Sequence, residues 1–184
     1  FITLAIQNKN MKIKKHIPNL ITLGNLLCGT IAVLFAVNND FVMAASFVVL
    51  GIVLDFFDGF AARLLHVSGE LGKQLDSLAD MVTSGVVPGI VMLALLHKSQ
   101  LNSYEKIIDS SLISFDAGYV QYLGLLLTLA ACYRLAKFNL DTRQTDSFIG
   151  LPTPAMALFV LSLPLIPEYS DNQFFIDLAQ NNYF

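Results

Sequence analysis

The chain has 184 residues, of which 55% are hydrophobic and only 14% are charged. A water-soluble domain of this length needs far more charge to cover its surface, so the composition argues against a soluble protein and for a polytopic membrane protein. The formal net charge of −3 is uninformative in such a protein, and no basic stripe indicates a nucleic-acid partner.

The N-terminal segment is basic and precedes the first apolar stretch. The chain begins with Phe1, and its first methionine, Met11, is followed by KIKKHIPNL. This pattern favours a natural start at Met11 and a basic, interfacial segment over residues 1–16. The segment lacks the small-residue cleavage site of a secretory signal peptide.

Five apolar stretches are long enough to cross a bilayer, which takes roughly 17–25 mostly apolar residues. Polar sequence separates them, such as NND at 38–40 and HKSQLNSYEK at 97–106. The sequence therefore predicts an all-α polytopic membrane domain over residues 17–167, followed by an external loop in 168–184. The five predicted spans are about 20–37, 41–62, 77–96, 118–137 and 148–167.

Lysines and arginines are unevenly distributed between the connections. With the N-terminus in the cytoplasm, nine of them lie in cytoplasmic segments and two in external ones. Cytoplasmic loops of membrane proteins carry an excess of Lys and Arg, so the bias predicts this orientation and a cytoplasmic connection between spans two and three. The nine are Lys9, Lys12, Lys14, Lys15, Arg63, Lys73, Arg134, Lys137 and Arg143, and the two are Lys98 and Lys106.

Four aspartates flank that cytoplasmic connection, in LDFFDGFAARLLHVSGELGKQLDSLAD at residues 54–80. Asp55 and Asp58 are three residues apart, so they share one helical face. Gly72, Asp76 and Asp80 are spaced by four residues and share a face of the next helix. Two helices joined by a short turn can therefore point all four carboxylates at one another.

Such a cluster needs compensation, because an aspartate at a span centre costs about 2.5–3.5 kcal/mol and four charges also repel one another. Two divalent cations would cancel the four charges, and carboxylate oxygens suit Mg²⁺, Mn²⁺ or Ca²⁺. A paired-metal site is a common solution for displacement at phosphorus. Gly59, Ala62 and Gly72 leave room beside the carboxylates, and Arg63 offers a planar fork to a phosphate. The alternative interpretation is that these aspartates are helix caps and interfacial charges, and for a single aspartate this interpretation would be the better one.

The residues spell Asp55-x2-Asp58-Gly59-x2-Ala62-Arg63-x8-Gly72-x3-Asp76-x3-Asp80. This pattern is similar to the signature of the CDP-alcohol phosphotransferase family at all eight of its fixed positions. The resemblance implies a six-helix membrane bundle that forms a homodimer and binds two divalent cations, Mg²⁺ or Mn²⁺. Only five spans are present, so we expect the sixth to begin in residues 168–184 and to be cut short. The implied reaction moves a phosphate-linked group from a CDP-linked donor to a hydroxyl, with release of CMP.

The resemblance also implies roles for individual residues. Asp55, Asp58 and Asp76 would be metal ligands, and Asp80 would contact metal and take the proton from the acceptor hydroxyl. The residues that would border the CDP-lipid are Gly59, Ala62, Arg63, Gly72 and Thr83.

Three further stretches resemble the phosphatidylserine synthase branch of the family, which implies CDP-diacylglycerol and L-serine as substrates and a prokaryotic inner membrane. They are IPNLITLGNLLCG (17–29), LDSLADMVTSGVVPG (75–89), and YRLAKFNLDTR (133–143) together with FIGLPTPA (148–155). The serine carboxylate needs a cation, which Arg134 or Lys137 could supply. Asn139, Asn25 and Thr22 are candidate polar contacts for the acceptor.

Several alternatives stay open. Cations at the cytoplasmic end of a span are by default topology anchors, which applies to Arg134 and Lys137. A sister enzyme that uses glycerol 3-phosphate or inositol phosphate should need more basic residues near the site than this chain has. A divalent-cation transporter should place its ligands near the bilayer midplane and show an internal repeat, whereas these aspartates cluster at one membrane face.

Overall fold

The computed structural model of the chain describes residues 2–67, 69–103, 119–140 and 150–169. Within these ranges the chain forms six α-helices and no strand, which confirms the all-α prediction. A π-helical turn, Met81–Val86, joins α3 directly to α4, and a 3₁₀ turn, Tyr119–Gly124, leads into α5. The helices are α1 Ile2–Val37, α2 Phe41–Leu64, α3 Glu70–Asp80, α4 Val87–Ser103, α5 Leu125–Leu140 and α6 Thr153–Tyr169.

Four helical stretches of the described residues are long and apolar enough to cross a membrane, and a fifth apolar helix is shorter. They match the five predicted spans in order, and they confirm a polytopic membrane protein. The 22 residues from His16 to Val37 give about 33 Å of helix at 1.5 Å per residue, close to the thickness of a hydrocarbon core. The four long stretches are His16–Val37, Phe41–Leu64, Glu70–Lys98 and Tyr119–Leu140, and the shorter helix is Thr153–Ile166.

Two predicted boundaries concern the ends of the chain. The first helix runs without a break from Ile2 to Val37, across the boundary expected at residue 16. At the other end, residues 170–184, which hold most of the predicted external loop and the start of a sixth span, lie outside the described residues.

The turn between α1 and α2 follows from its polar sequence. Asn39 has a positive φ of 60°, a conformation that asparagine tolerates better than most residues. The side chain of Asp40 then caps α2 by accepting a hydrogen bond of 3.0 Å from the backbone N–H of Met43. Because the reversal is this tight, α1 and α2 pack against each other more extensively than any other pair of elements in the described structure.

The turn between α2 and α3 is also short. Beyond the end of α2, the N–H of Val67 bonds to the carbonyl of Ala62 at 3.0 Å, and His66 has a positive φ of 51°. Gly69, in extended conformation, begins α3. The two aspartate-bearing helices are therefore connected by only a few residues.

The core between the helices consists mainly of small side chains. Its fully buried members are alanines and valines with a single leucine, whereas large apolar side chains such as Leu27, Leu34 and Phe56 are exposed. Small residues let membrane helices approach closely, and outward-facing large residues suit contact with lipid. The buried core cluster is Ala32, Ala36, Ala44, Val48, Val87, Val91, Val160 and Leu161.

A candidate metal and catalytic centre between α1, α2 and α3

Three aspartates meet where α2 faces α3. One carboxylate oxygen from each of Asp55, Asp58 and Asp76 lies within 4.8 Å of the other two. The predicted register is the reason, because Asp55 and Asp58 are almost one turn apart on α2, and Asp76 lies on α3 after the short turn. Asp58 is buried, and the other two are partly buried.

Asp80 lies one helical turn beyond Asp76, at the end of α3. It is not one of the three carboxylates that converge, but its charge repels those of Asp55, Asp58 and Asp76. The structure therefore brings all four predicted aspartates into one region, as a set of three with a fourth beside it.

The three convergent carboxylates fit a divalent cation. Oxygens on opposite sides of an ion at about 2.1–2.5 Å are separated by about 4–5 Å, which matches the observed 4.8 Å limit. All the donors are hard carboxylate oxygens, which suit Mg²⁺ or Mn²⁺ better than softer metals. Asp55, Asp58 and Asp76 would hold such an ion.

The first helix supplies neutral donors to this acidic region. The buried hydroxyl of Thr22 donates a hydrogen bond to Oδ2 of Asp58, and the carbonyl of Pro18 is its other acceptor, at 3.1 Å. Asn25, three residues further along α1, is fully buried and close to Asp80. Both residues were predicted as acceptor contacts, but sequence reasoning missed that they face the carboxylates. Their spacing of three residues within an apolar span was the available indication.

Four of the residues predicted to border a CDP-lipid lie around the α2–α3 turn. A side chain added at Gly59 would meet nothing within 4 Å, so the backbone there is open to a ligand. Ala62 is half-buried, and Arg63 is exposed, with its Nε donating to the carbonyl of Gly59 at 3.1 Å. Gly72 faces α1, where an added Cβ would lie 3.4 Å from Oδ1 of Asn19.

Thr83, the fifth of these predicted residues, does not join them. Its side chain is only 1% exposed and lies in the π-helical turn, in contact with α1 rather than with the open surface near Arg63.

The end of α5 is attached to α3. Nδ2 of Asn139 donates to the hydroxyl of Ser77 at 2.8 Å, and the carbonyl of Asn139 accepts from Nζ of Lys73 at 3.1 Å. This brings the predicted acceptor residue Asn139 next to the helix that carries Asp76. The Lys73 ammonium thereby supplies a donor to the C-terminus of α5, where backbone carbonyls lack intrahelical partners.

The two predicted cations of the acceptor site lie on the same end of α5. The guanidinium of Arg134 is close to Gly150, where an added Cβ would lie 3.8 Å from one of its nitrogens. Lys137 is exposed in the last turn of α5. Neither cation forms an ion pair with another described residue.

A polar pair at the far end of α4 was not predicted. His97 is buried, with its Nδ1 2.6 Å from Oε1 of Gln121. The two residues come from α4 and the 3₁₀ turn, and residues 104–118 between them lie outside the described chain. Nothing in the sequence pattern indicated that they would meet.

The chain is similar in sequence to a known protein family and to named enzymes. The profile of the CDP-alcohol phosphatidyltransferase family matches residues 15–179. The CDP-diacylglycerol–serine O-phosphatidyltransferase of Bacillus subtilis is 34% identical over 158 residues, covering 83% of this chain and 78% of that protein. The protein of the same name from Helicobacter pylori strain J99 is 32% identical over 152 residues, covering 81% and 57%.

An archaeal relative is also similar. The archaetidylserine synthase of Methanothermobacter thermautotrophicus is 28% identical over 158 residues, covering 84% of this chain and 60% of that protein. The chain thus spans over three quarters of the Bacillus protein but less than two thirds of the other two. No solved structure matches the chain. The family profile and the identity to the named transferases together establish that the chain belongs to the CDP-alcohol phosphatidyltransferase family.

Proposed function

We propose that the protein transfers the phosphatidyl group of CDP-diacylglycerol to the hydroxyl of L-serine, giving phosphatidylserine and CMP. The observation that carries the proposal is the convergence of Asp55, Asp58 and Asp76, with Asp80 beside them, in a chain similar to enzymes named for this reaction. Their names specify both the CDP-lipid donor and serine.

The four aspartates would hold two divalent cations, Mg²⁺ or Mn²⁺. When bound, such ions neutralise charge on the diphosphate and on the attacking and leaving oxygens of the displacement. The donor would lie along the open backbone at Gly59, with the guanidinium of Arg63 against a phosphate oxygen.

Asp80 is the proposed general base. It takes the proton from the serine hydroxyl, whose oxygen forms a bond to the lipid-linked phosphorus. The bond from that phosphorus to the oxygen of CMP breaks at the same centre, so CMP leaves with the bonding electrons. A carboxylate outside the convergent set of three is well placed for this role, because it is less committed to a metal.

The end of α5 would bind the serine carboxylate. Arg134 and Lys137 carry charge that is not paired within the described residues, and Asn139 attaches this end of α5 to α3. These contacts link the proposed acceptor site to the helix that carries Asp76 and Asp80.

The membrane setting completes the proposal. The excess of Lys and Arg on one side supports a cytoplasmic active site, and bacterial relatives support a prokaryotic inner membrane. The resemblance to the family supports a homodimer, which crosslinking in membranes would test.

The test is an assay of the full-length protein with CDP-diacylglycerol, Mn²⁺ or Mg²⁺, and labelled serine, glycerol 3-phosphate or inositol phosphate. Label should enter lipid with serine alone, and only when the metal is present. Asp80→Asn should abolish turnover while the protein still binds the CDP-lipid. Lipid labelling with glycerol 3-phosphate but not with serine would refute the choice of acceptor, and a fully active Asp80→Asn variant would refute the base.

A further inference from the structure

A buried polar contact joins α1 to the π-helical turn beside the aspartates. Asn25 has no exposed surface, and Thr83 is 1% exposed. The hydroxyl of Thr83 lies 2.8 Å from Oδ1 of Asn25, to which it donates. Buried polar side chains within a membrane span are costly and are usually retained for a function.

Two glycines make this contact possible. A Cβ added at Gly29 would lie 2.6 Å from Oγ1 of Thr83, closer than real contacts allow. A Cβ added at Gly51 would lie 2.8 Å from Oδ1 of Asn25 and 2.9 Å from Cγ2 of Thr83. The side chains of Asn25 and Thr83 therefore occupy space that the lack of side chains at Gly29 and Gly51 leaves open.

The amide nitrogen of Asn25 lacks a hydrogen-bond partner among the described residues. Its Nδ2 is buried and makes no hydrogen bond of normal geometry with another described residue. The carboxylate of Asp80 on α3 is close enough to interact with the amide. Hydrogen bonds in active sites are often long before substrate binds, and they tighten in the reactive complex.

Thr83 on one side and Asp80 on the other determine the orientation of the Asn25 amide. With Oδ1 accepting from Thr83, Nδ2 is the amide atom left to donate to the Asp80 carboxylate. In the reversed orientation, Thr83 could still bond to the carbonyl of Ala79, 3.1 Å away, but Oδ1 would then face a carboxylate. Two acceptors would repel each other in a buried site, so the reversed orientation is disfavoured.

We propose that Asn25 is a positioning residue for Asp80. Thr83 fixes the amide with Nδ2 towards Asp80, and Nδ2 donates a hydrogen bond that orients this carboxylate towards the acceptor hydroxyl during proton transfer. The inference rests on the proposed function, because it assigns a role in the step for which Asp80 is the base. In this role α1 contributes to catalysis through Asn25. The amide is uncharged and contacts Asp80, so it leaves the other three carboxylates free to bind a metal.

The first experiment compares Thr83→Val with Thr83→Ser in the full-length protein. Valine has nearly the shape of threonine but no hydroxyl, whereas serine keeps the hydroxyl. We expect Thr83→Val to lower kcat about tenfold, the size expected for one buried hydrogen bond, with the KM for CDP-diacylglycerol and the Kd for Mn²⁺ within about twofold of wild type. Thr83→Ser should keep kcat within about threefold. Mn²⁺ binding is measured by the loss of the free-ion electron paramagnetic resonance signal, which does not depend on turnover.

The result that overturns the proposal is a wild-type kcat in Thr83→Val, or an equal loss in both variants. A loss of Mn²⁺ affinity that matches the loss of kcat would also overturn it, because the contact would then be holding the metal site together rather than orienting the base. If the wild type uses another alcohol instead of serine, the proposed acceptor fails, and the same comparison is made with that alcohol.

A second experiment tests the Asn25–Asp80 relation without any turnover. In EDTA, Asn25→Asp keeps the shape of the side chain but places a carboxylate next to Asp80, and should lower Tm by at least about 5 °C. Adding Asp80→Asn should restore most of that loss and should raise Tm more than Asp80→Asn does in the wild-type background. Equal effects of Asp80→Asn in the two backgrounds would overturn the proposal, because the two side chains would then not interact.

Discussion

Replacing Gly51 by alanine tests the close packing of α1, α2 and the π-helical turn. The added methyl group would lie 2.8 Å from Oδ1 of Asn25 and 2.9 Å from Cγ2 of Thr83. Both side chains are buried and held by each other, so neither can move aside without losing their hydrogen bond. The same helix offers a matched control in Gly59, where a methyl group would meet nothing within 4 Å.

The expected difference in melting temperature follows from comparing alanine substitutions at these two glycines. Both lie in α2, and replacing glycine by alanine within a helix contributes up to about 1 kcal/mol of stability in either place. Because this gain is common to both variants, their difference isolates the cost of overpacking, about 1–3 kcal/mol. At about 2–4 °C per kcal/mol for a chain of this size, Gly51→Ala should melt about 2–12 °C below Gly59→Ala.

The assay is thermal unfolding of the purified proteins in one detergent, in EDTA so that metal binding does not contribute. Gly59→Ala should melt at or slightly above the wild type, even though the proposed role of Gly59 in donor binding predicts a raised KM for CDP-diacylglycerol. Equal melting temperatures for Gly51→Ala and Gly59→Ala would refute the reasoning, because the buried contact would then tolerate a methyl group at no cost.

Three other variants test separate parts of the molecule. Asp76→Asn should bind Mn²⁺ at least about tenfold more weakly, because it removes a metal ligand. In EDTA the same variant should melt above the wild type, because it removes one of several charges that repel one another, and a lower melting temperature would contradict that repulsion. Arg63→Ala should raise the KM for CDP-diacylglycerol while Arg63→Lys retains part of the affinity, and an unchanged KM in Arg63→Ala would argue against phosphate binding there. His97→Leu should lower the free energy of unfolding by about 1–3 kcal/mol, because Gln121 loses this hydrogen-bond partner. We expect His97 only to stabilise the fold, so a loss of turnover larger than the loss of folded protein would contradict the prediction.

The spans and the aspartate register could be predicted because they depend on local sequence. Apolar length predicts a membrane helix, and the spacing of Asp55, Asp58 and Asp76 puts them on helical faces whatever the rest of the chain does. The short turn between α2 and α3 then leaves little freedom in how those faces meet. Sequence reasoning is reliable where one helix, or two consecutive helices, contain all the information.

The remaining features depend on helices that are distant in sequence. The contact between Asn25 and Thr83 requires the packing of α1 against the π-helical turn, and that turn has no clear signature in its residues. The attachment of Lys73 to Asn139 joins residues 66 positions apart, which no local periodicity can reveal. Small residues in the spans showed that the helices pack closely, but not which residues become neighbours.

The order of the site residues along the chain has a consequence for biogenesis. Both neutral donors, Thr22 and Asn25, lie on α1, and the four aspartates lie on α2 and α3. A nascent chain that has inserted its first three membrane helices therefore already contains each of these groups, before α5 has left the ribosome. The acidic cluster and the α1 side chains beside it are therefore present in the chain before α5, which carries the proposed acceptor-binding residues.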